Sequence, residues 1–245
     1  MKRATAVGFA VLLLVALPDS ARSDTAKTIV EAAAGAALLG IVCTSVAITA
    51  DEEINPEDFA RRGWLIGVAG SYATDTFEDD QESNFQKVLG PAVNLSVDNT
   101  FGFNGRVGYR CHERFSTEVQ VEWLDGFSGD LKQPNVEQLA KVSYEPVVVT
   151  TNVKGYFMTG RYQPFLLAGA GAMVADSKLH DPVGLAFTGL ESDSDNAFAM
   201  RFGGGIDLYA TENILVTLEA DYVLPVGSLT NLDYITIGWG LQYRF

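Results

Sequence analysis

Apolar and polar residues alternate strictly at the end of the chain. Ile235, Ile237, Trp239, Leu241, Tyr243 and Phe245 fall on one face. Tyr234, Thr236, Gly238, Gly240, Gln242 and Arg244 fall on the other. A period of two belongs to a β-strand. In a soluble sandwich the apolar face would turn to a core. Here the opposite face carries glycines and an arginine, and the pattern recurs along the chain. That predicts a barrel with an apolar outside and a polar inside, which crosses a membrane.

Seven further segments alternate in this way from Gly63 onward. Over 63–74 the outward face reads Trp64, Ile66, Val68, Gly70, Tyr72, and over 97–110 it reads Phe101, Phe103, Gly105, Val107, Tyr109. Over 115–124 it is Phe115, Thr117, Val119, Val121, Trp123, and over 144–157 Val147, Val149, Thr151, Val153, Phe157. Over 165–174 we expect Phe165, Leu167 and Met173 outward. The last two faces are Phe198, Met200, Phe202, Ile206, Leu208 and Ile214, Val216, Leu218, Ala220, Tyr222. Each segment is close to the length needed to cross a bilayer at a tilt.

The connections alternate in length. Those at 111–114, 158–164 and 210–213 are short; those at about 75–96, 125–143, 175–196 and 224–233 are long. The expected fold is therefore all-β: an eight-stranded antiparallel up-and-down transmembrane β-barrel with both ends on the short-turn side. The aromatics fall into two belts. Trp64, Tyr109, Phe115, Phe157, Phe165, Tyr243 and Phe245 lie at the turn end; Tyr72, Trp123, Phe198 and Tyr222 lie at the loop end. Amphipathic rings prefer the two water–lipid interfaces.

The N-terminus predicts export. Lys2 and Arg3 precede an apolar run over 7–17, Pro18 breaks it, and Ala21-Arg22-Ser23 is a small-x-small cleavage site. The chain thus divides into a signal peptide, 1–23, an Ala-rich segment and acidic linker, 24–62, and the barrel, 63–245. The apolar stretch over 28–50 reads as a helical or irregular extension packed on or in the barrel. It is also long enough for a membrane helix. A third reading puts signal cleavage after Ser45-Val46-Ala47.

Net charge is −14, and losing Lys2, Arg3 and Arg22 with the signal makes it more negative. Nucleic acid needs a basic surface, so it is not an expected partner. Cys43 and Cys111 would meet an oxidising compartment after export. A disulfide between them is one outcome and two free thiols the other, because sequence does not supply their separation.

With these residues laid out, the chain resembles the small outer-membrane barrels of Gram-negative bacteria. It is similar to opacity-type surface porins and to the transmembrane domain of outer-membrane protein A. The resemblance covers 63–245 and rests on Gln163-Pro-Phe-Leu-Leu-Ala-Gly-Ala-Gly171, Arg201-Phe-Gly-Gly-Gly-Ile-Asp207, Leu218-Glu-Ala-Asp-Tyr222 and Tyr243-Arg-Phe245. It implies a place in the cell outer membrane among its lipids, as a monomer. It also implies that Tyr243 and Phe245 form a signal for the barrel-assembly machinery. Unlike in outer-membrane protein A, no appended domain for peptidoglycan is expected after the barrel.

The inward positions hold Arg106, Arg110, Glu118, Glu122, Lys154, Arg201, Asp207, Glu219, Asp221 and Arg244. Charges in a barrel must be solvated or paired, and eight strands leave room only for their own side chains. A salt-bridge network filling the lumen is expected, with Arg201 in reach of Glu219 or Glu118. Ala168, Ala170, Ala172, Gly203, Gly205, Gly238 and Gly240 read as small inward residues that make room for long charged chains or leave space.

No enzyme is expected. A Ser–His–acid site needs a histidine near the membrane surface; His112 falls in a short turn and His180 in a long loop. No metal site or cofactor is expected either. Asp75, Glu78, Asp79, Asp80 and Glu82, like Asp181, Glu191, Asp193 and Asp195, crowd loops without ordered ligand spacing. The glycines at 169, 171 and 203–205 lie inside strands and precede no helix, so they form no nucleotide loop. Two roles remain: a structural or surface-interaction protein that meets an external ligand through its loops, or a small passive channel.

Overall fold

The computed structural model describes residues 59–76, 94–133, 136–180, 194–227, 229 and 232–245. The signal peptide, the Ala-rich stretch, Cys43 and the acidic residues at 78–82, 181, 191 and 193 lie outside the described residues.

The strands are β1 (Gly63–Asp75), β2 (Asn94–Val97), β3 (Thr100–His112), β4 (Phe115–Leu124), β5 (Phe127–Gln133), β6 (Val136–Tyr156), β7 (Tyr162–His180), β8 (Ser194–Tyr209), β9 (Ile214–Val226) and β10 (Tyr234–Arg244). Eight of them close an antiparallel barrel in the order β1, β3, β4, β6, β7, β8, β9, β10. The seam is β1 against β10, with Ile66 opposite Tyr243 and Tyr72 opposite Ile237. Closure leaves no open edge in the wall, the condition for strands in lipid.

The long connection at 125–143 is largely strand. β5 pairs with the upper part of β6, and β2 pairs with β5. The chain leaves the barrel wall at Gly126, whose φ is +107°, and a Cβ there would sit 3.0 Å from Glu145 Cγ. Glycine is the residue for such a corner. β7 and β8 likewise run into the connection expected at 175–196. β5 is paired on both edges, with β2 and β6, and its residues carry no apolar stripe, so alternation gives no signal.

Seven barrel strands turn outward the faces that alternation predicts. β7 does not. Phe165, Leu167 and Met173 point into the barrel with 2%, 3% and 0% exposure, while Leu166 is 61% exposed. Ala168 and Ala170 are exposed on the outer wall. The register is slipped by one, which exchanges every side chain between faces. The cause is local: Phe165, Leu166 and Leu167 are consecutive apolar residues, and alternating Ala and Gly follow without contrast. Phe165 therefore leaves the turn-end belt, and Ala168, Ala170 and Ala172 are not lumen residues.

On the outer wall the belts form ring pairs. Trp64 meets Tyr109 at 5.2 Å and Tyr243 meets Phe245 at 4.9 Å near the turns. Tyr72 meets Phe101 at 5.0 Å and Phe103 stacks on Trp123 at 5.1 Å near the loops. Offset and tilted aromatic pairs of this kind add to area burial.

Candidate functional site: the filled lumen

The inward residues stack in layers. At the centre, Arg106 on β3 grips Glu219 on β9 with two N–H groups, one of them at 2.7 Å. A bidentate guanidinium–carboxylate pair fixes orientation as well as charge. Lys154 Nζ lies 3.0 Å from Glu118 and 3.6 Å from Glu219, and Glu118 is 3.9 Å from Arg106. Lys154 also sits 4.5 Å over the ring of Phe165. Two cations and two carboxylates thus neutralise one another.

Towards the loops, Arg201 on β8 donates to Glu122 on β4 and, at 3.1 Å, to Asp221 on β9. Glu122 also accepts Ser71 at 3.1 Å and the Tyr234 hydroxyl at 3.3 Å. Asn104 joins the two layers: its Oδ1 accepts from Arg106 and its Nδ2 donates to Ser71. Gly203 lets Asp221 in, since a Cβ there would lie 2.0 Å from its Oδ1. Arg201 does not pair with Glu219 or Glu118; Arg106 and Lys154 hold those carboxylates.

Towards the turns, Asp207 accepts Tyr156 Oη at 3.0 Å and Thr217 Oγ1 at 2.7 Å. Arg110 lies 4.0 Å over the Tyr156 ring and donates to Gln163 and to the Glu113 carbonyl. Arg244 lies 4.8 Å over the Tyr209 ring and donates to the carbonyls of Phe59 and Glu212. These two arginines are held by carbonyl oxygens and aromatic faces. Phe59 packs on Tyr209 at 5.6 Å, and the Arg161 guanidinium lies 5.2 Å over the Phe59 ring.

The loop end of the lumen is apolar. Ala73, Leu124, Phe127, Val148, Met173, Ala175, Ala199 and Val223 form one buried cluster with Leu229 and Leu232 of the β9–β10 connection. Sequence reasoning missed this layer. Inward apolar residues carry the same letter code as outward ones, and only the polar half of each strand's inner face announces itself.

The sequence matches the outer membrane protein beta-barrel domain over residues 34–245. The chain belongs to that family. This outer-membrane barrel has no match among curated proteins. Its fold is similar to solved structures at low identity. Ail of Yersinia pestis, solved with the heparin analogue sucrose octasulfate, is 16% identical, with TM-score 0.45, over 75% of this chain and 97% of that one. Outer membrane protein W of E. coli is 16% identical, with TM-score 0.44, over 75% and 97%. A major outer membrane protein of Thermus thermophilus is 8% identical, with TM-score 0.46, over 74% and 99%.

The remaining candidates of the outer-membrane barrel lie apart. His112 is exposed at the end of β3 and its Nδ1 accepts the Arg114 N–H at 3.2 Å. His180 ends β7, its backbone paired with Lys141. Among the described residues no three His, Cys, Asp or Glu side chains are grouped to hold a metal. Cys111 is buried beside the β3 bulge, with Sγ 3.6 Å from the Phe115 carbonyl. Tyr243 and Phe245 are exposed on the outer wall, and the Phe245 N–H donates to Trp64 O at 2.9 Å across the seam.

Proposed function

We propose that this outer-membrane barrel is a structural or surface-interaction protein with a closed lumen. Its signal peptide is removed on export, its short turns face the periplasm, and its four long connections face the outside of the cell. It works as a monomer, and an external ligand meets the loops rather than the barrel interior.

One observation carries this reading. All ten charged lumen residues have exposures of 5% or less. Phe59 and Arg244 cover them from the turn end, and the apolar cluster around Met173 and Val223 covers them from the loop end. An ion entering would have to break the charge pairs and cross an apolar layer, both costly in a dry interior.

Single-channel recording in planar bilayers tests it. The wild type is expected to show little or no conductance. Strong, steady conductance would replace this reading with that of a small passive channel.

A further inference from the structure

We propose that the turn end of the barrel is a binding collar for anionic phospholipid, of the phosphatidylglycerol type. Ten arginines occur in the chain's sequence, and four of those in the described part lie outside the lumen: Arg61, Arg62, Arg114 and Arg161. All four sit at the turn end. The loop end carries Asp75, Asp98, Asp125, Glu145 and Asp233 among its described side chains, and no arginine. Glu113 and Glu212 also sit at the turn end, the latter 4.0 Å from Arg61, so among the described side chains arginine and carboxylate mix there, while those of the loop end are acidic.

Three of these arginines stand one or two residues before an outward ring in the chain, while the Arg161 guanidinium itself lies 5.2 Å over the Phe59 ring and Arg61 faces Glu212. Arg114 precedes Phe115, which is 51% exposed, and Arg161 precedes Tyr162, which is 67% exposed. Arg62 stands two residues before Trp64, which is 48% exposed. Outward rings settle at headgroup depth, so arginines one or two residues away along the chain are in reach of the phosphates. The planar guanidinium fork matches two phosphate oxygens. A zwitterionic lipid brings its own cation to the same place and loses most of the attraction. An anionic headgroup does not.

The test reconstitutes the full protein in vesicles of phosphatidylcholine with a minor fraction of phosphatidylglycerol. The lipids that stay bound after mild detergent extraction are then counted by native mass spectrometry. Phosphatidylglycerol is expected to be enriched over its bulk share, and less so at high salt. Enrichment should fall about fivefold for each of Arg114→Gln and Arg161→Gln. Arg114→Lys, which keeps the charge and loses the fork, should retain more of it than Arg114→Gln does, and Asp98→Asn at the loop end should not change it. Heat-modifiable migration on gels checks that each variant is folded. Equal retention of the two lipids by the wild type overturns the proposal. So does enrichment that survives in the folded Arg114→Gln/Arg161→Gln double variant. Neither result bears on conductance, so the closed-lumen reading stands or falls separately.

Discussion

Arg201 reaches from β8 across the lumen to Glu122 on β4, and both side chains are shielded from solvent. The contact ties together two strands that are not neighbours in the wall. It also leaves each charge dependent on the other. Arg201→Ala strands Glu122 and Asp221 in a confined space, at a cost of roughly 3–5 kcal/mol. Its thermal midpoint in detergent should fall clearly below wild type. Val216→Leu, on the lipid-facing wall, should shift it little. An Arg201→Ala protein as stable as wild type would mean that Arg201 does not face inward.

The corrected register of β7 makes a paired prediction. Met173 is fully buried in the loop-end cluster and Leu166 faces outward. Met173→Ala should cost about 2–5 kcal/mol, the usual range for truncating a buried side chain. Leu166→Ala should cost well under half of that, since lipid replaces the lost contacts. Denaturant unfolding in detergent micelles measures both, and reversed magnitudes would restore the register expected from alternation.

Gly171 gives a steric prediction. A Cβ there would lie 1.8 Å from the Val149 carbonyl oxygen and 2.7 Å from Thr150 Cα. Both neighbours are backbone, so the β6–β7 pairing itself must move. Gly171→Ala should cost about 1–3 kcal/mol from overpacking. Gly105→Ala, where a Cβ meets nothing within 4 Å, should be close to neutral. Yield of the heat-modifiable folded form compares the two.

The terminal strand predicts an assembly defect. Deleting Phe245 removes the Tyr243–Phe245 ring pair and the bond to Trp64 O at the seam. The truncated chain should reach the outer membrane more slowly and in lower amount, as followed by pulse-chase fractionation. Unchanged assembly would remove Phe245 from the signal.

The side assignment is testable on cells. The Ser192→Cys variant, changed in the connection before β8, should react with an impermeant thiol reagent on intact cells. Cys111, buried at the turn end, should not. Because Cys111 is buried on either orientation, a Gly160→Cys variant in the exposed β6–β7 turn, with Cys43 removed, supplies the comparison, and its labelling in place of position 192 would invert the topology.

Much of the barrel is legible in the chain because lipid and lumen impose opposite chemistries on alternate residues. Ile235 to Phe245, or Ile214 to Tyr222, show this plainly. Legibility fails where one of the two chemistries is missing. After Gln163 the inner face of β7 holds Phe165, Leu167, Gly169, Gly171 and Met173, so over most of its length nothing polar marks it as inner. Phe127 to Gln133 carries no apolar stripe, so β5 reads as loop. The ten lumen charges follow from parity, but the partners of Arg201 do not. Pairing across a barrel depends on strand tilt and stagger, which link residues far apart in sequence.

The strands are of unequal height. β6 has 21 residues and β7 has 19, against 11 in β10 and 13 in β1 on the opposite wall. At about 3.3 Å per residue β6 spans roughly 70 Å of extended chain, and tilted as barrel strands are, it rises about 50 Å against a hydrocarbon layer of about 30 Å. One flank therefore stands above the membrane like a mast, while the other ends near the headgroups. A body approaching from the loop side meets this ledge off the barrel axis. Any grip it takes there loads the wall sideways, through continuous β-ladder, and leaves the layered charges of the interior out of the line of force.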